Sequence, residues 1–86
     1  MPYIDKNHRS RIDTALFLLD QELRNAPAGH FNYAISKLIW SQFARNPNYD
    51  SANTLIGVLE AVKLEFYRRK VAPYEDRKIA ENGDIE

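Results

Sequence analysis

The sequence predicts an all-α fold: a three-helix antiparallel bundle with a short helical or extended C-terminal tail, assembled as an oligomer. Three observations predict it. Apolar residues recur at helical spacing in three long segments, with no alternating strand pattern and no internal repeat. The segments are separated by breaks rich in Pro, Gly and Asn, "APAG" at 26–29 and "ARNPNYD" at 44–50. Finally, the 86 residues suffice for one domain, 1–86. A chain of that size buries only about 60% of the surface it exposes when unfolded, so a second chain is expected to complete its core.

In the first segment Ile12, Leu16, Leu19 and Leu23 fall on one helix face, with Ala15 beside them. Ser10 followed by Asp13 resembles a capping box with a shorter acid, and a start near Asp5 fits equally well. After Asn25, Pro27 and Gly29 force a short connection, and the next helix should return antiparallel.

The second helix, about 29–45, is apolar over more of its circumference than one core face needs. Phe31, Ala34, Ile35, Leu38, Ile39 and Phe43 fill one half, while Tyr33, Trp40 and Ala44 form a stripe opposite, with Lys37 at its edge. That stripe must be covered either by the tail, through Pro73, Tyr74 and Ile79, or by another subunit. Trp40, Tyr33 and Tyr74 are therefore candidate interface residues.

The third helix, about 51–71, starts from a cap at Asp50 or Ser51 and turns Leu55, Val58, Leu59, Val62 and Phe66 inward. Gly57 lies in its interior at a cost of about 1 kcal/mol relative to Ala, with Ala61 one turn later. Close approach of another helix accounts for that pair, which adds Gly57 to the candidate interface. Pro73 is expected to end the helix, since Ala72 before it is pushed out of helical geometry. Beyond it, "PYEDRKIAENGDIE" suits a short fourth helix, or a hairpin turning at Asn82-Gly83. A helical turn from Pro73 to about Lys78 followed by an extended tail is the expected form.

Composition excludes several kinds of chemistry. Twelve Lys and Arg balance twelve Asp and Glu, so no global field steers the chain to nucleic acid or to an anionic membrane. Cysteine is absent, which removes disulfides, thiolate nucleophiles and sulfur-ligated zinc. His8 and His30 lack the i, i+4 spacing of a helical metal site, and the three glycines form no phosphate loop. No cofactor and no enzymatic activity are expected. The charged start "MPYIDKNHRSRID" differs from the apolar run of a signal peptide, and no stretch approaches the 18 apolar residues of a membrane span. A cytoplasmic protein is expected.

Local clusters remain. Glu60, Lys63 and Tyr67 share a face and could offer an acceptor, a cation and a ring to a small ligand, or simply form a solvated Glu-Lys pair. "YRRK" at 67–70 is the one dense basic cluster, and Arg68 and Arg69 have the fork geometry that grips phosphate. Positive charge also belongs in the last turn of a helix, and Glu65 stands at i, i+4 from Arg69. With Tyr33 and Lys37 of the second helix, these residues are the candidate sites for a small anionic ligand.

The opening "MPYID", the "FNYAISKL" of the second helix and above all "GVLEAVKLEFYRRKVAPYEDRKIAENGD" resemble a family of small phage, prophage and bacterial proteins that has no assigned activity. The resemblance covers most of the chain, is weakest between Asn46 and Ala52, and supplies no catalytic residues to carry over. More loosely, a short helical chain that assembles with its copies is similar to phage-encoded proteins that sequester cyclic nucleotides. That similarity implies a nucleotide sponge, with rings for the base and Arg or Lys for the phosphates. Inhibition or recruitment of a host protein is the alternative.

Overall fold

Helix formation follows the apolar periodicity almost without interruption in the computed structural model, which describes residues 4–86. A 3-10 turn, Lys6–His8, leads into α1, Arg9–Leu23. There follow α2, Ala28–Arg45, and α3, Tyr49–Phe66; a π-turn, Tyr67–Val71, joins α3 to α4, Ala72–Asn82. Among the described residues there is no strand, so the fold is all-α, and its three long helices are those of the expected bundle. The chain divides into two units, Met1–Trp40 and Ser41–Glu86.

In the first unit, the start near Asp5 is the one that forms. The His8 amide donates to the Asp5 carbonyl at 2.9 Å, and Arg9 Nε donates to the Ile4 carbonyl at 3.0 Å. Ser10 lies inside α1, where its carbonyl accepts from Thr14 Oγ1, so the capping box is not used. The corner after α1 is made by backbone geometry. Arg24 is extended and Asn25 takes a φ of 61°, a left-handed conformation that Asn adopts at less cost than most residues. Capping at the turn is local: the Ala26 amide reaches the Leu23 carbonyl at 3.0 Å, and that of His30 reaches Pro27 at 2.9 Å.

In the second unit the cap of α3 is Asn48, two residues before the expected Asp50 and three before Ser51. Its Oδ1 accepts from the Ser51 amide at 2.8 Å, and its Nδ2 donates to Asn46 Oδ1 at 3.0 Å. Pro73 does not stop the helix. The Ala72 amide donates to the Tyr67 carbonyl five residues back, so the ladder widens by one residue just where Pro73 brings a ring and no N–H. The chain thus absorbs the proline in a wide turn and continues as α4. The expected stop near Lys78 is replaced by Gly83, whose φ of 92° and bond to the Ile79 carbonyl at 2.8 Å close the helix, and no hairpin forms.

The largest departure concerns burial. No described residue is buried, polar or apolar. Phe66, expected inside, is 61% exposed, and an added Cβ at Gly57, expected at a close helix approach, would meet nothing within 4 Å. The apolar faces of the described helices stay exposed. Exposed surface totals 8035 Å².

Candidate functional site

The first unit carries two adjoining grooves at the α1–α2 corner. One, of about 690 Å³, has Leu16, Phe17, Leu19, Leu23 and Phe31 in its walls and Asp13 and Asp20 on the α1 side. The other, of about 750 Å³, shares Leu19 and Leu23 and adds Ala34 and Leu38, with Glu22, His30, Tyr33 and Lys37 as its polar groups. Lys37 Nζ stands 5.9 Å from the Tyr33 ring centroid, at the outer reach of a cation–π contact. The i, i+4 spacing of Tyr33 and Lys37 brings them together as the sequence suggests. Glu22 and His30 escape sequence reasoning because the corner, not a helical period, carries α1 to them. Trp40 lies outside both linings and is 70% exposed, and Tyr33 is exposed as well.

The second unit sorts its basic cluster differently from a phosphate grip. Arg68 Nη2 lies 2.8 Å from Glu65 Oε1, and Arg69 Nη1 lies 3.5 Å from the same oxygen. Two guanidinium groups on one carboxylate leave the pair positive, but their forks point at a protein acceptor. Glu65 is the less exposed partner, at 22% against 71% for the Arg68 side chain. Local ion pairing at the helix end therefore describes these arginines. Lys63 pairs with Glu60 at 3.2 Å, the solvated pair that competes with a ligand role, and such exposed pairs are worth under about 1 kcal/mol.

Tyr67 leaves that group. Its hydroxyl donates to Glu75 Oε1 across the π-turn. The hydrogen bond to Glu75, followed by the negative charge of that carboxylate, holds its phenol above the ordinary tyrosine range. Tyr74 is the aromatic centre of α4, with Arg77 Cζ and Lys78 Nζ at 5.7 and 5.6 Å from its ring. Those contacts follow i, i+3 and i, i+4 and were readable in "YEDRK". Lys78 also reaches Glu81 at 3.2 Å.

Among the described residues no three His, Cys, Asp or Glu side chains gather as a metal site, and no helix is long and apolar enough to cross a membrane. No curated protein and no solved structure matches the chain. A family model does match, over residues 1–85, and the chain belongs to that family, described as Domain of unknown function (DUF6899).

Proposed function

We propose that this protein is a non-enzymatic helical protein that works as a homo-oligomer and binds a small anionic, nucleotide-like ligand at a site its subunits complete. The observation that carries the reading is the absence of any buried residue among the described residues of a chain whose helices are fully formed. Isolated helices of 15 to 18 residues are marginal in water, and their stability in proteins comes from burying an apolar face.

The ligand half of the reading rests on the second groove. Its volume falls in the range of small-molecule sites, Leu19, Leu23, Ala34 and Leu38 make its lining largely apolar, and a ring, an ammonium and an imidazole line it beside the Glu22 carboxylate. A stacked base and a neutralised phosphate are the contacts such groups make. A phage setting, and sequestration as the role, are what the sequence resemblance suggests.

A thermal-shift screen against mononucleotides and cyclic nucleotides tests the ligand half, because a ligand bound only by the folded assembly raises its Tm. We expect a concentration-dependent rise that Tyr33→Ala with Lys37→Gln abolishes while the Tm without ligand holds. If no nucleotide shifts the wild type, the ligand reading fails. A monomeric wild type would instead favour the adaptor alternative, in which a host protein covers the exposed helix faces.

A further inference from the structure

We propose that the acidic groove of one copy, at the α1–α2 corner, receives the apolar ridge of α3 from a second copy, with Asp13 and Asp20 facing Lys63 and Lys70. The proposal rests on the oligomeric reading above and names the surfaces that would satisfy it.

Three observations carry it. The groove is lined by Leu16, Phe17, Leu19, Leu23 and Phe31, and Phe17 and Phe31 are both exposed in the single chain. The ridge of Leu55, Leu59, Val62 and Phe66 recurs at i, i+4, i+7 and i+11, the form of helix that fills such a groove. Most of it is exposed: Leu59, Val62 and Phe66 are 40%, 60% and 61% exposed.

Charge supplies the orientation. Asp13 and Asp20 are seven residues apart on α1, and Lys63 and Lys70 are seven apart along α3 and the π-turn, which places each pair about 10 Å apart along its helix. Among the described residues Asp13, Asp20 and Lys70 have no ion-pair partner in their own chain, and Lys63 has only the exposed Glu60. Matching charges on the rim of an apolar contact fix register and exclude wrong pairings more than they add affinity.

The test is a charge swap read by analytical ultracentrifugation. One full-length chain carries Asp13→Lys with Asp20→Lys, and another carries Lys63→Glu with Lys70→Glu. Alone, each variant sets like charges against like and should weaken self-association by at least about tenfold. Mixed in equal amounts, the two should associate as the wild type does, because every groove then meets a ridge of opposite charge. A single chain with all four substitutions should recover too, which separates lost pairing from lost folding. If either variant alone assembles like the wild type, or the mixture stays dissociated, another surface covers the groove and the proposal is overturned. Recovery of the fourfold chain as a monomer would overturn it equally, by showing that the ridge docks within its own chain. A wild type that is itself monomeric removes the oligomeric reading, whereas an oligomeric wild type with indifferent variants removes this interface alone.

Discussion

The connection at Asn25 and the connection at Pro73 carry similar sequence signals and do opposite things. At the first, an extended Arg24 and a left-handed Asn25 break the chain direction before Pro27 is reached. At the second, the residues before Pro73 all stay helical, and a π-turn carries the chain through. Proline therefore does not itself turn the chain. It removes one donor and adds one clash, and the outcome depends on whether a neighbour leaves the helical region or the ladder widens to make room. The corner creates the grooves of the first unit, whereas the π-turn keeps α3 and α4 in one helical run that presents a long open face.

The comparison is broken most severely by removing apolar side chains. If the faces of both regions meet other copies, Phe66→Ala and Phe17→Ala should each cost about 3 to 5 kcal/mol per chain in the assembly, although both rings are exposed in the single chain. Thermal melts at several protein concentrations check this, because an assembly melts higher as concentration rises. A near-zero effect at both positions would mean the rings stay in water. Asn25 comes next in size. Asn25→Val places a β-branched residue at a φ of 61° and should cost about 1 to 2 kcal/mol, while Asn25→Gly should be close to neutral, both read from chemical denaturation midpoints.

Pro73→Ala restores a donor and removes the clash that the wide turn accommodates, so the π-turn should relax toward an ordinary α-helix. Slower amide exchange across 67–73 would be the sign, and unchanged exchange would show that the turn is held by something other than proline. The smallest expected effect belongs to Tyr67. Its phenol is held above the ordinary range by Glu75, so it should ionise above that range, and Tyr67→Phe should remove a component of the ultraviolet titration that lies above it. A group whose folded-state value is raised contributes stability below its unfolded value, near 10, and loses it as pH climbs through the folded one. The contact therefore supports the π-turn at neutral pH and weakens only in strong base.

Periodicity made the helices legible, because an amphipathic face is a local property of the chain. Ile12 to Leu23 and Leu55 to Phe66 declare α1 and α3 with no knowledge of what they touch. What those faces touch is not local. Phe66 reads as an inward residue from its spacing, and Gly57 as a packing site from its place in a helix, yet Phe66 is exposed and the space beside Gly57 is open. Pro73 was misread because a stop rule assumes the α-type ladder, and a π-type bond from Ala72 to Tyr67 evades it. The candidate site divides in the same way. Tyr33 with Lys37 and Glu65 with Arg69 follow helical spacing and are found together, whereas Glu22 and His30 enter their groove through a corner that no helical period describes.

The central claim is that the core of this protein lies between chains. Sedimentation velocity from nanomolar to high micromolar concentration, followed in parallel by circular dichroism, tests it most directly. The account predicts a discrete particle at a multiple of 10.0 kDa whose helical signal falls as dilution dissociates it. A fully helical 10.0 kDa particle across that range would contradict it, since the helices would then hold without the surface of a second chain.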